Sequence, residues 1–129
     1  MILTLKQIVD INSAVKSLDS KVLNKIKITF NITNIISKTE SSSIFFRNNH
    51  RDLVIKFGIT DEEGNTKVRA ENELEFLKEY NDLCNIEEEI NLPILSIDDF
   101  EGLCEFADNE LKPIYLHSDF FRLMGDIIQ

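Results

Sequence analysis

Ile26-Lys27-Ile28-Thr29-Phe30-Asn31-Ile32-Thr33 is the stretch whose reading decides the fold. Its alternation of apolar and polar residues, rich in β-branched side chains, is a strand pattern. The same residues also fit a helix, with Val22, Ile26, Phe30 and Thr33 on one face and Ile28, Ile32 and Ile35 on another. Intrinsic propensity favours the strand. Yet no Gly or Pro occurs between residues 21 and 57, a long uninterrupted run for strands alone. We therefore expect one long helix over 21–57, weakened across the polar Ser37-Lys38-Thr39-Glu40-Ser41-Ser42-Ser43. It resumes through Ile44, Phe45 and Phe46 to Phe57, with Gly58 as its C-terminal cap.

The segments on either side are plainer. Thr4 and Gln7 make a capping-box pattern, with Leu3 and Ile8 placed as a hydrophobic staple. Leu5, Ile8, Ile11, Val15 and Leu18 then recur at helical spacing, with Lys6, Asp10, Asn12 and Lys16 off the stripe. This first helix should end near Leu18, where Asp19-Ser20 can turn the chain and cap the next element. Asp61-Glu62-Glu63-Gly64-Asn65 reads as a turn between Ile59 and Val68. A helix follows over 70–84, with Leu74, Leu77, Tyr80 and Cys84 on its apolar stripe and Phe76 and Leu83 beside it. Glu75 and Glu79 form a like-charge i,i+4 pair that calls for a nearby cation. Ile86, Ile90, Leu92 and Ile94 suggest a strand, confined to an edge by Pro93. Ser96 to Gly102 resembles one helical turn and a stop, and Ser118 can cap a short last helix bearing Phe120, Phe121, Leu123, Met124, Ile127 and Ile128.

Charge divides the chain in two. Residues 1–60 hold 9 Lys/Arg and 4 Asp/Glu, whereas residues 61–110 hold 17 acids and 3 bases, within a total of −9 over 129 residues. The halves can attract each other, and acidic surface is left for something else. The length suits one domain, residues 1–129, and 43% hydrophobic with 29% charged content is that of a globular chain. No apolar run approaches the roughly 18–20 residues of a membrane span. The opening Met1-Ile2-Leu3-Thr4-Leu5-Lys6 lacks the basic region of a signal peptide. Cys84 and Cys104 make neither a disulfide framework nor a metal knuckle, which points to a reduced compartment.

Little in the chain carries reaction chemistry. His50-Arg51-Asp52 spells a kinase triplet without the glycine-rich loop or the Asp-Phe-Gly that such catalysis needs. Asp61, Glu63 and Asn65 open like a calcium loop, but Thr66 stands where its glycine belongs and Asn72 where its closing glutamate belongs. His50 and His117 have no ligand-spaced partner, and Ser41-Ser42-Ser43 has no glycine elbow. Cys84 and Cys104 read as structural thiols among apolar neighbours. An enzymatic reading would need a convergent carboxylate pocket, for example Glu73 with Asp98. No cofactor and no metal are implied.

Two surfaces are candidates for partner binding. One is the acidic series Glu87, Glu88, Glu89, Asp98, Asp99 and Glu101, continuing through Glu105, Asp108 and Glu110. It is either a solvated face or a surface that docks onto a basic partner or mimics a nucleic-acid backbone. The basic Lys21, Lys25 and Lys27 are expected to pair with the acidic helix. The other is apolar: Phe120 and Phe121, with Met124 and Ile127, either pack in the core or form a docking patch.

The order of these segments resembles a group of small bacteriophage proteins from phages of low-GC bacteria. The residues that carry the likeness are Leu3-Thr4-Leu5-Lys6-Gln7-Ile8-Val9, the long lysine-containing segment, Lys56-Phe57-Gly58 and the turn Asp61-Glu62-Glu63-Gly64-Asn65-Thr66-Lys67-Val68. It continues through Glu75-Phe76-Leu77-Lys78-Glu79-Tyr80-Asn81-Asp82-Leu83, a Glu-rich strand at 87–92 and Ile97-Asp98-Asp99-Phe100-Glu101-Gly102. The resemblance implies a phage or prophage origin and the long-helix reading, and it brings no established activity. Two stretches depart from it: the Ser-rich centre with Asn48-Asn49-His50, and a longer tail from Cys104 to His117.

The expectation is a helix-dominated α+β protein, a helical hairpin or small bundle with a minor β element. It acts without catalysis, through a protein partner and not through nucleic acid or membrane, in the host cytoplasm or the virion. The first role expected is a virion-associated or assembly accessory component bound to a phage structural protein. The second is an acidic anti-defence inhibitor of a basic nucleic-acid-handling host protein, such as a CRISPR nuclease.

Overall fold

The capping box at the start of the chain forms as read. Thr4 Oγ1 accepts from the backbone N–H of Gln7 at 3.2 Å, and Gln7 Oε1 accepts from the backbone N–H of Thr4 at 2.8 Å. Helix α1 (Leu5–Lys16) follows in the computed structural model, which describes residues 1–129. Leu5, Ile8, Ile11, Val15 and, just past its end, Leu18 are all buried. Asn12 is buried too, contrary to its expected place off the stripe.

Helix α2 (Ile26–Phe57) is continuous through the serine-rich centre. Of the two helical faces read from the sequence, Ile28, Ile32 and Ile35 are buried, while Ile26 is 87% exposed. Thr39, Ser43 and Phe46 extend the buried stripe at three- and four-residue steps. Burial against α1 along so many turns outweighs a local β preference, which spans only about 1 kcal/mol per position. The small polar side chains of Thr39 and Ser43 are buried within that stripe.

Both ends of α2 differ from expectation. Residues 21–25 are not helical, because Leu23 forms an antiparallel bridge with Glu105 and the N–H of Asn24 donates to the Cys104 carbonyl at 3.1 Å. Asp19-Ser20 turns the chain, with Ser20 at φ 65°, but caps no helix. Gly58 ends α2 in extended backbone, φ −105° and ψ 176°, instead of a left-handed cap. Glycine suits it for another reason: a Cβ there would lie 2.3 Å from the Val54 carbonyl oxygen and 2.8 Å from that of Lys67.

Strands β1 (Ile2–Thr4) and β4 (Glu87–Glu89) pair antiparallel, as do β2 (Gly58–Thr60) with β3 (Thr66–Val68) and β5 (Cys104–Ala107) with β6 (Glu110–Pro113). The β2–β3 hairpin encloses the acidic turn, where Asp61 Oδ1 accepts from the N–H groups of Glu63 and Asn65 at 3.0 and 2.9 Å. That carboxylate is committed to the loop backbone. The strand expected over 86–94 shortens to 87–89, after which Ile90, Leu92 and Leu95 enter the core. The β5–β6 hairpin was not anticipated; Asp108 and Asn109, both at positive φ, form its two-residue turn.

Helix α3 (Glu73–Cys84) is entered by a 3₁₀ turn over 70–72. It turns Phe76, Tyr80 and Leu83 inward, toward Phe46, Phe57 and Leu5, while Leu74 is 84% exposed and Leu77 also faces water. Helix α3 packs mainly on α2, so its buried stripe is narrower than the one read from the sequence. Ser96 opens a 3₁₀ turn over 97–100 through a second capping box with Asp99, and α4 (Phe120–Met124) follows Asp119, so Ser118 is not its cap. The main core gathers residues from Leu3 to Ile127, and the helix-dominated α+β class holds. No helix is long and apolar enough to cross a membrane.

Candidate functional site

Phe45 and Phe46 are adjacent on a helix, so their side chains diverge by about 100° and cannot share one stripe. Phe46 takes the core position, and Phe45 stays half exposed on a wall of α2 together with Asn49, Asp52, Leu53 and Lys56. Glu79, Asp82 and Leu83 of α3, with Ile86 just after it, face that wall across a hollow of about 370 Å³. A second hollow of about 340 Å³ adjoins it, bordered by Leu5, Ser42, Glu87 and Glu88, and shares Phe45 and Ile86 with the first. Together they make a groove between α2 on one side and α3 and β4 on the other.

The groove is apolar within and acidic around. Its carboxylates are Asp52, Glu79, Asp82, Glu87 and Glu88, against a single cation, Lys56. Lys56 Nζ donates to both Glu79 oxygens, at 3.1 and 3.3 Å, and thereby relieves the Glu75–Glu79 repulsion expected on α3. No cationic side chain lies within 4.0 Å of Asp82, Glu87 or Glu88. Ser42 Oγ donates to Glu88 Oε2 at 2.6 Å, fixing that carboxylate against α2.

Behind the groove, burial pushes the Tyr80 phenol above its ordinary value, aided by its hydrogen bond to Cys84. Burial alone would lower the Lys6 ammonium, but its hydrogen bond to Asp10 and that group's charge outweigh it and raise the pKa. His50 packs among the rings of Phe46, Phe76 and Tyr80, 5.2 Å from the last, as part of the α2–α3 packing.

Of the residues singled out in the sequence, Glu87 and Glu88 border the groove. Glu89 is exposed on β4 and lines neither hollow. Asp98, Asp99 and Glu101 lie elsewhere: Asp99 Oδ2 accepts from the Ser96 N–H at 3.0 Å, and Lys25 Nζ donates to the backbone carbonyls of Asp99 and Glu101. The acidic series is therefore not one face. Lys21 pairs with Glu105 at 3.8 Å and Lys25 with the 99–101 backbone, while Lys27 forms no ion pair, so the early lysines do not pair with the acidic helix.

Phe120, Met124 and Ile127 are core residues, which removes the apolar docking patch; Phe120 is 3% exposed and Phe121 36%. Neither Glu73 nor Asp98 lines a hollow. Phe45, Asp52, Leu53, Asp82 and Ile86 were not picked out as a site. The Phe45-Phe46 pair was the available signal, since one of the two had to leave the core.

No family model matches this chain, and neither a curated protein nor a solved structure does.

Proposed function

We propose that the chain is a non-enzymatic protein-interaction component whose α2–α3 groove receives a basic, partly apolar segment of a partner protein. The observation that carries this reading is the coincidence of apolar lining with an unbalanced set of carboxylates. Phe45, Leu53, Leu83 and Ile86 offer apolar surface, which favours association as it leaves water. Asp82, Glu87 and Glu88 stand without cations, and such groups select a partner of opposite sign and speed its encounter. The same carboxylates repel a nucleic-acid backbone.

A catalytic alternative finds no support in the side chains that line the groove. The hydroxyl of Ser42 meets a carboxylate, and no histidine borders either hollow to act as its base. In the phage setting that the resemblance implies, both expected partners fit: a structural protein of the particle, or a basic nucleic-acid-handling host protein. Either is met in the host cytoplasm or in the virion.

The test is a titration of isotope-labelled protein with a cationic Lys/Leu amphipathic peptide and with its Glu/Leu counterpart, followed by NMR. The cationic peptide should shift the resonances of Phe45, Leu53, Asp82 and Ile86, and Ile86→Asp should remove the effect. Shifts centred on Asp98, Glu101 and Glu110, or none, would overturn the reading.

A further inference from the structure

We infer that the segment the groove receives comes from a second copy of this chain: the exposed start of α2, from Ile26 to Phe30, docks head-to-tail into the α2–α3 groove of the next molecule. This rests on the groove reading above and names its occupant.

The first observation is an apolar face that the fold does not use. Ile26 is 87% and Phe30 70% exposed, while Ile28, Ile32 and Ile35 on the other side of the same turns are in the core. The start of α2 is thus apolar on two sides, and only one has a partner within the chain. Ile26 and Phe30 are four residues apart, so they project from one face about 5–6 Å from each other. The groove offers two adjoining hollows, which share Phe45 and Ile86, to receive the two knobs. The entry to α2 adds more apolar surface: Val22 lies opposite Phe106, whose N–H donates to the Val22 carbonyl at 2.9 Å, and Phe106 lies opposite Leu111. All three are exposed.

The second observation is charge. From Ser20 to Thr39 the chain holds four lysines and no acid. Lys27, beside Ile26 on the exposed surface, forms no ion pair, and Lys25 reaches only backbone carbonyls, which leaves its charge uncancelled. Pairing two α2 starts about a two-fold axis would set lysine against lysine. Docking the start of one α2 into the groove of another copy sets the lysines against Asp82, Glu87 and Glu88 instead.

Such an interface is heterologous. A bound pair still has one free knob face and one free groove, so association continues into a ring or an open filament. The charge of −9 on every copy opposes approach at a distance. At physiological ionic strength that repulsion is screened beyond about 8 Å, and the local complementarity acts inside that range.

Sedimentation velocity of the full chain tests this at physiological salt, from micromolar to near-millimolar concentration. The wild type should pass beyond dimer as concentration rises. Phe30→Asp and Ile86→Asp, both at exposed positions, should each be folded by circular dichroism and monomeric. Mixed in equal amounts they should give a one-to-one dimer and nothing larger, since one variant keeps its groove and the other its knobs. A wild type that stays monomeric, a wild type that stops at dimer, or a mixture that stays monomeric would overturn the inference. If the cationic peptide still shifts the groove resonances while the wild type sediments as a monomer, self-association alone falls; if the peptide fails as well, the groove reading falls with it.

Discussion

Asn12 Nδ2 lies 3.0 Å from Thr39 Oγ1, a hydrogen bond closed off from solvent between α1 and α2. Asn12 Nδ2 also donates to Glu40 Oε2 at 3.0 Å, and Thr39 Oγ1 passes its own hydrogen to the Ile35 carbonyl at 2.8 Å. On the solvent side Lys16 Nζ reaches the other Glu40 oxygen at 2.8 Å. A polar seam therefore runs through an otherwise aliphatic helix contact, with each buried donor matched to an acceptor. Thr39→Val should cost about 1–3 kcal/mol, the usual penalty for orphaning a buried donor. Adding Asn12→Leu should recover part of that loss in urea unfolding. Simple additivity of the two losses would show that the pair is not coupled.

Glu40 ties the same seam to pH. Hydrogen bonds from Lys16 and Asn12 hold its carboxyl below the ordinary 4.5. A folded-state pKa that is depressed means that the native state binds fewer protons than the unfolded one. Its contribution is complete above the unfolded value and is lost as pH falls through the folded one. Wild type should therefore exceed Glu40→Gln in stability most near neutrality, and the gap should close on acidification below 4.5. A gap that is constant across that range would contradict the assignment.

The two faces of α2 separate cleanly by substitution. Ile35→Ala removes a fully buried side chain and should cost about 2–5 kcal/mol. Ile26→Ala, at dilute concentration where copies do not meet, should stay within about 0.5 kcal/mol of wild type. Thermal melts of the two variants decide whether the buried face has been assigned correctly.

Gly58→Ala should destabilise the junction of α2 with the β2–β3 hairpin. The added methyl would meet the Val54 and Lys67 carbonyl oxygens, and backbone atoms cannot swing aside as a flexible side chain can. We expect about 1–3 kcal/mol, the range typical of overpacking. Faster hydrogen exchange at Arg69, whose N–H donates to the Phe57 carbonyl at 3.1 Å, should accompany the loss. Unchanged exchange there would argue against the crowding.

At the other end of the chain, Phe120 meets the rings of Phe100 and Phe121 edge-to-face, with centroids 5.3 Å away in each case. Phe120→Ala should lower stability by about 3–5 kcal/mol, as expected for a buried aromatic ring. Phe121→Ala, at a position open to water, should cost less. A larger loss at Phe121 than at Phe120 would reverse the core assignment.

Several elements were legible because their signals are local. The Thr4–Gln7 capping box, the stripe from Leu5 to Leu18 and the Asp61–Asn65 turn each depend on residues within a few positions of one another. The β5–β6 hairpin was legible in principle, since Asp108-Asn109 favours the positive φ that a two-residue turn needs, but its flanking residues alternate too weakly to announce strands. Strand β1 could not be read: Ile2 to Thr4 is extended because Glu87 to Glu89 lies beside it, more than eighty residues away in the chain.

The groove shows the same division. Acidic character over 61–110 was plain, but one-dimensional spacing could not say which carboxylates converge. Glu87 and Glu88 came to the groove, whereas Asp98, Asp99 and Glu101 were drawn to a capping turn and to Lys25. Periodicity, capping signals and the absence of Gly or Pro between 21 and 57 thus determined by themselves that the chain is helix-dominated, where α1 begins and, with composition, that charge is segregated along it. Tertiary structure alone decided which face of α2 is buried, which of Phe45 and Phe46 meets water and which acids face each other. Those outcomes depend on contact between distant segments, where burying one stripe against a neighbouring helix outweighs preferences of about a kilocalorie in any single residue.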